Sequence, residues 1–419
     1  MPSATPTRRR KSREGPRHGR RGHLRVVAEG ERAPRTAAPG RSRAPSRSPA
    51  PSRDRTPALL LAATAALTLT GLVMVLSASS VSAFERYGSS FLFFKRQAAY
   101  LAVGAGALWL TARMRYEAWQ RLCLPLLVTT VGLLVLVLHP AFGTVAGGSA
   151  RWIEVGPVTI QPSEPAKLAV IAFAAAVLAR RWRRLTDLRQ LAVPLVPITA
   201  LVCGLILLQP DMGTATIVVA SVGLLAFAAG ARLKHVALGL LSMATVGFGL
   251  MYVEGYRWVR FTSFIDPWAD PQGNGYQTIQ SLIALATGGP FGVGLGAGRQ
   301  KWSTLPNAHT DFIFAILGEE LGLVGALVVL VLFGIIVYAG IRIAIRAPDA
   351  FGRLLAAGIT GWLGLQALVN LGAVTGLLPI TGVPLPFVSF GGSSLVVSLA
   401  AVGILVAIAR SRRGRGAEA

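Results

Sequence analysis

Ten apolar runs constrain this chain more than any other feature. They cover roughly residues 58–80, 92–111, 121–138, 163–180, 191–208, 212–230, 236–253, 311–339, 353–375 and 389–409. Each approaches or exceeds the ~20 residues that an α-helix needs to cross the hydrocarbon core of a bilayer. Lipid offers no partner for backbone N–H and C=O groups, so runs of this length are expected to be helices that satisfy their own hydrogen bonds. The composition agrees, with 53% apolar and only 14% charged residues. A single soluble globular domain is excluded, and the expectation is an all-α polytopic membrane protein with ten transmembrane helices.

The net charge of +24 at first suggests a nucleic-acid binder. Its distribution argues otherwise. Residues 1–57 hold sixteen Lys and Arg against four acids, which is half of the net charge. This segment is mostly Arg, Pro, Ser, Ala and Gly, too poor in apolar residues to offset its chain entropy, so it reads as a disordered tail. It has no interleaved aromatics on which bases would stack, so membrane lipids are the expected partner and nucleic acid is not. Seventeen further basic residues lie in the loops and the C-terminal tail (411–419) on the tail's side of the membrane. Eight lie on the other side: Arg86, Lys95, Arg96, Arg151, Arg257, Arg260, Arg299 and Lys301. The excess of Lys and Arg on cytoplasmic loops then puts both termini in the cytoplasm. Val81-Ser82-Ala83 resembles a signal-peptidase site, yet the run before it is long enough to span, and a retained signal-anchor helix is the better reading. Cys123 and Cys203 sit in apolar runs far from any metal-binding pattern and read as buried small residues.

In this orientation the polar text falls outside, in Phe142–Ser163, the turn Gln209-Pro210-Asp211, Gly376–Phe390 and a large loop of about 57 residues between helices seven and eight, Glu254–Thr310. A loop that long is more than a connector. The run from Gly292 to Gly298 lacks the spacing of a nucleotide-binding loop and follows no strand, which leaves backbone flexibility or close approach to phosphates. Ionisable residues at membrane depth are costly and are therefore site candidates. Glu164 and Lys167 are spaced to pair on one helix face, as an internal ion pair or as a cavity wall. Asp211 is placed to cap a helix, and of the adjacent Glu319 and Glu320 at least one has to face protein or a cavity. Asp311 stands where the large loop re-enters the membrane. An apolar boundary disfavours a charged carboxylate and moves it toward general-base behaviour, although Thr310-Asp311 also fits a helix cap. Arg257, Arg260, Arg299 and Lys301 suit an anionic, phosphorylated substrate, and His309 is a weaker candidate beside them. On residues alone, an enzyme and a transporter stand nearly level.

Several long motifs break that tie. Phe264-Ile265-Asp266-Pro267-Trp268, Gly275-Tyr276-Gln277 and the stretch from Leu305 to Ala315 resemble the SEDS family of bacterial shape, elongation, division and sporulation proteins. Gly318-Glu319-Glu320-Leu321-Gly322, Arg151-Trp152-Ile153, Gln161-Pro162-Ser163-Glu164, Gln209 to Thr214 and Leu385 to Ser394 extend the resemblance over about residues 58–410. The wording is closer to the division branch than to the elongation branch. The resemblance implies a peptidoglycan glycosyltransferase that polymerises lipid II at the outer face of the cytoplasmic membrane, at the division septum. It implies work beside a class B penicillin-binding protein transpeptidase and other division proteins. Asp311 matches the essential aspartate as general base, and Arg151, Glu164, Lys167, Arg257, Arg260, Lys301, His309, Ser389 and Ser393 are expected to bind substrate. A divalent cation, Mg or Mn, is compatible with the diphosphate, although no carboxylate cage is visible. Where the family often has a polar residue after Gly296, this chain has Ala297-Gly298. The alternatives are a lipid II flippase and a non-catalytic scaffold that recruits the transpeptidase.

Overall fold

The computed structural model describes residues 55–146, 149–156, 158–181, 188–253, 262–302 and 305–415. Nearly all of the basic tail 1–57, and Arg257 and Arg260, lie outside the described residues. The chain from Asp54 onward forms one unit. Its described part is mostly helical, and six of the described helices are long and apolar enough to cross a membrane.

Among the described residues, ten long helices fall where the apolar runs lie. They are α1 (Thr56–Tyr87), α2 (Leu92–Arg113), α3 (Glu117–Val137), α4 (Ser163–Arg180), α5 (Leu188–Leu207), α6 (Met212–Ala228) and α7 (Leu233–Val253), followed, after the shorter α8 (Tyr276–Gly288), by α9 (Ile313–Ile345), α10 (Ala350–Val374) and α11 (Gly392–Arg415). α1 starts on a proline in its first turn and stops at Gly88, whose φ of 70° lets its N–H bond the Phe84 carbonyl. It therefore contains Val81-Ser82-Ala83, with Ala83 fully buried. Asp211 caps α6 as its position suggested, accepting a hydrogen bond from Thr214 N–H at 3.1 Å. Neighbouring helices approach closely where side chains are small: a Cβ added at Gly403 of α11 would lie 2.0 Å from Thr111 Oγ1 of α2.

Three features differ from the sequence reading. The polar stretch before α4 forms an antiparallel sheet in the order β1 (Gly143–Ala146), β2 (Ser149–Val155), β3 (Val158–Ile160), with Ile153 opposite both Gly143 and Ile160. The large loop contains α8, which packs against α9 and α10. α9 breaks at Gly322 (φ 67°, ψ −165°), so its first two turns form a separate short segment. A side chain at Gly322 would meet Gly292 N at 2.3 Å, which is why the chain can cross there only with glycine.

Candidate active site

A cavity of about 810 Å³ opens at one end of the bundle, where α2 and α11 begin, α10 ends, and β2 and β3 reach the helices. Asp311 is half-buried in its wall and is the carboxylate among the lining residues. The turn before it is built on Asn307, whose left-handed φ of 58° is one that asparagine tolerates better than most residues. The Asn307 carbonyl accepts from the backbone N–H groups of Thr310 (3.0 Å) and Phe312 (3.4 Å) and from the Thr310 hydroxyl (3.1 Å). Asn370 of α10 then fixes the segment, donating its Nδ2 to the carbonyls of Asp311 and Val383, each at 2.8 Å. The N-cap of α9 is Phe312, without a side-chain cap bond, so the alternative reading of Thr310-Asp311 as a cap does not hold.

Among the described residues two guanidinium groups share the cavity wall, Arg96 and Arg151. Arg151 is held by the turn before α6, with Nε donating to the Gln209 carbonyl at 2.9 Å and Nη2 donating to the Pro210 carbonyl. Ser393, in the first turn of α11, also lines the cavity; its hydroxyl accepts from Gln161 N–H at 3.0 Å and donates to the Thr159 carbonyl at 3.3 Å. Sheet, α4 entry and α11 are thereby tied around one space.

The other candidates stand behind the wall or away from it. Glu164 and Lys167 pair at 2.9 Å, each only 1% exposed, and do not line the cavity. Lys167 also donates to Gln366 Oε1 at 2.8 Å, and Gln366 donates its Nε2 to the Pro384 carbonyl at 2.9 Å. The pair is thus an internal ion pair that supports the cavity-lining strip around Pro384. Ser389 is buried, accepting from Leu385 N–H (2.8 Å) and donating to the Thr310 carbonyl (2.7 Å), so it positions the Asp311 turn from behind. His309 packs in an aromatic trio with Phe93 (ring centroids 4.7 Å apart) and Phe390 (5.7 Å), which also meet each other at 5.1 Å. Burial, aided by the Arg86 charge, pulls its imidazole down to about 4, which leaves it neutral near pH 7.

Lys301 corrects the sequence reading most clearly. Its ammonium is 3.0 Å from Glu320, with side chains 4% and 0% exposed, and it donates to the Gly296 carbonyl at 2.6 Å and to Ser77 at 3.2 Å. It is the counter-ion of a buried carboxylate and lines neither cavity described here. Glu319 turns to the same loop and accepts from the N–H groups of Arg299 (2.7 Å) and Gln300 (3.2 Å). The glycine run serves this packing: a Cβ at Gly298 would lie 2.9 Å from Glu319 Oε2, so its close approach is to α9. Sequence reasoning missed Arg96, Tyr100, Gln161, Asn307 and Thr310 as wall residues. Of these, Gln161, Asn307 and Thr310 lie within motifs already singled out, and Arg96 was visible as a basic residue.

Fold and site together define a multi-pass membrane protein with a polar, partly cationic cavity at one end of a helical bundle. The chain belongs to the FtsW/RodA/SpoVE family, the SEDS proteins, whose model, described as "Cell cycle protein", matches residues 57–414. Membership makes it a multi-pass protein of the inner membrane. It is 46% identical over 361 residues to stage V sporulation protein E of Bacillus subtilis, covering 85% of this chain and 98% of that protein. It is 43% identical over 349 residues to a probable peptidoglycan glycosyltransferase FtsW of a Geobacter species, covering 83% of this chain and 95% of the relative. Among solved structures, a chain reported under "Structural coordination of polymerization and crosslinking by a peptidoglycan synthase complex" superposes with TM-score 0.71 at 30% identity, over 84% of this chain and 97% of the other. The rod shape determining protein RodA of Thermus thermophilus superposes with TM-score 0.63 at 29% identity, over 84% and 96%.

Proposed function

We propose that this protein is an inverting peptidoglycan glycosyltransferase that polymerises lipid II at the outer face of the cytoplasmic membrane during division. The observation that carries the reading is the placement of Asp311, the carboxylate among the described residues in the wall of a cavity that also presents Arg96 and Arg151. The relatives named as peptidoglycan glycosyltransferases support the reaction class. In the reaction, Asp311 takes the proton from the GlcNAc 4-hydroxyl of one lipid II. The freed oxygen attacks C1 of the MurNAc at the lipid-linked end of the other strand. The new C1–O bond forms on the face opposite the departing C1–O–phosphate bond, the configuration inverts, and undecaprenyl pyrophosphate leaves with the bonding electrons.

The two guanidinium groups are suited to the charge that develops on the diphosphate, since preset charges in a partly dry site stabilise a transition state without reorganising. Among the described residues no group of three or more His, Cys, Asp or Glu stands together to hold a metal ion. The donor set does not fit a divalent-cation cage, and no step here runs through one. Ten spans with both termini cytoplasmic would put the cavity on the outer side, where the basic loops are fewest. A class B penicillin-binding protein is the proposed crosslinking partner, an assignment supported by the solved complex in which polymerisation and crosslinking are coordinated.

The test gives lipid II to purified full-length protein with its transpeptidase partner, and measures glycan chains alongside lipid II movement across vesicle membranes. Chains from wild type, absent from Asp311→Ala, are the expected result. No chains, with translocation across the bilayer, would replace the polymerase by a flippase; neither activity would leave a scaffold.

A further inference from the structure

A second cavity, of about 280 Å³, adjoins the first in the large outer loop. Gln277 and Ile380 belong to both walls, so the two spaces are neighbours. Their linings differ in kind. The larger cavity carries Arg96, Arg151 and Asp311, whereas the described lining of the smaller consists of amides, hydroxyls and two aromatic rings, with no Asp, Glu, Lys, Arg or His among the described residues. Gln272, Asn274, Gln277 and Ser263 supply both donors and acceptors, and Phe264 and Tyr276 supply flat apolar faces. Amides paired with aromatic faces suit a pyranose ring, which shows hydroxyls at its rim and C–H groups on its faces. They also suit an acetamido substituent, which offers one donor and one acceptor. A diphosphate would find no cation among the described lining residues.

The small cavity is held in shape by its own loop. The Asp270 carboxylate accepts from Gly273 N–H at 3.0 Å, Asn274 N–H at 2.8 Å and Asn274 Nδ2 at 3.2 Å. The bonds from Asn274 and Gly273 hold the Asp270 carboxyl below the usual carboxylate range. Gly275 closes the turn at a point where an added Cβ would lie 1.9 Å from the Pro267 carbonyl. The turn therefore delivers Gln272 to Tyr276 to the cavity already ordered, and a preset site spends little entropy on binding.

We propose that this second cavity is the acceptor subsite, which takes the uncharged N-acetylated sugar of the attacking strand while the larger cavity takes the lipid-linked diphosphate. The inference rests on the polymerase reading above and adds where the nucleophile is held. Pro306 lines the small cavity, and Asn307, Thr310 and Asp311 line the large one, so one short turn crosses from sugar site to base. Gln277 borders both spaces, so a sugar seated against it lies beside the cavity whose wall holds Asp311.

The experiment titrates the lipid-free GlcNAc–MurNAc disaccharide, and separately undecaprenyl pyrophosphate, onto full-length protein in detergent, with binding followed by saturation-transfer NMR. Gln272→Ala changes an exposed residue outside the helical core and serves as the variant that keeps its fold; Phe264→Ala with Gln272→Ala is the stronger one. The double variant is expected to weaken disaccharide binding about tenfold, the size of effect that one or two lost contacts produce, with undecaprenyl pyrophosphate unchanged. Unchanged disaccharide binding, equal loss of both ligands, or no saturable disaccharide binding to wild type would overturn the assignment. Because binding is read without turnover, these outcomes are distinct from failure of the polymerase reading, which would appear as absence of glycan chains from wild type.

Discussion

Lys301→Met removes the cation from a buried pair and leaves Glu320 with the Ser77 hydroxyl, 2.7 Å from both carboxylate oxygens, as its remaining side-chain partner among the described residues. At 3.0 Å the pair's attraction is roughly 5 kcal/mol at an effective dielectric of about 20, most of it offset by the desolvation already incurred. The net worth of the intact pair is therefore small, while breaking it strands a carboxylate that is fully buried. That costs about 3–5 kcal/mol, which for a chain of this size lowers the melting temperature by roughly 5–10 °C. Replacing both residues (Lys301→Met with Glu320→Gln) removes the stranded charge and should recover more than half of the loss. Thermal unfolding in detergent can be followed with a thiol-reactive dye, since Cys123 and Cys203 are both free and buried. A Lys301→Met protein that melts with wild type, or a double variant whose loss equals the sum of the singles, would refute the reasoning. Because the pair joins α1, α9 and the loop that carries the glycine run 292–298, the same variant should loosen that loop to proteolysis before the rest of the bundle.

Three further outcomes follow from the geometry. Lys167→Met should destabilise the protein by about 3–5 kcal/mol, because it leaves Glu164 buried with Oε2 already lacking a partner, and Glu164→Gln in the same chain should restore much of it in the same melting assay. His309 protonates near pH 6.5 when unfolded and near 4 when folded, so its contribution is fully present above pH 6.5 and is lost as pH falls toward 4. Melting temperature should fall across that window by the equivalent of up to roughly 3 kcal/mol, and His309→Phe should flatten the slope. Gly213→Ala would put a Cβ 2.3 Å from the Thr381 carbonyl, and should cost about 1–3 kcal/mol and reduce glycan synthesis by displacing the strip that carries Thr381 and Gly382 in the cavity wall.

The helices were legible because a run of apolar residues has few other uses, and their observed ends lie within a few residues of the expected ones except where α1, α9 and α11 run on past their apolar stretches. Local relations were legible too: Asp211 with Thr214, and Glu164 with Lys167, are three residues apart and need no tertiary information. The strands β1 and β3 are four and three residues long and sit in polar text, where alternation over so short a stretch carries no signal. The break at Gly322 was hidden because one glycine among Leu, Val and Ala leaves the apolar pattern intact. The fate of Lys301 was hidden for a different reason. Its partner Glu320 is nineteen residues away across a loop, and composition cannot say which face of a loop meets a helix and which meets a cavity. Asp311 was legible by its place at a boundary. Arg96 as its cavity neighbour required the fold.

The central claim is that Asp311 acts as the base for glycan polymerisation within the cavity it shares with Arg96 and Arg151. The most direct measurement is the initial rate of chain formation by Asp311→Asn, a variant that keeps shape and removes basicity, set beside its affinity for lipid II. The account predicts a rate at least about 100-fold below wild type, the usual worth of a general base, with lipid II affinity within a few-fold of wild type. Chains formed at the wild-type rate by Asp311→Asn would contradict it.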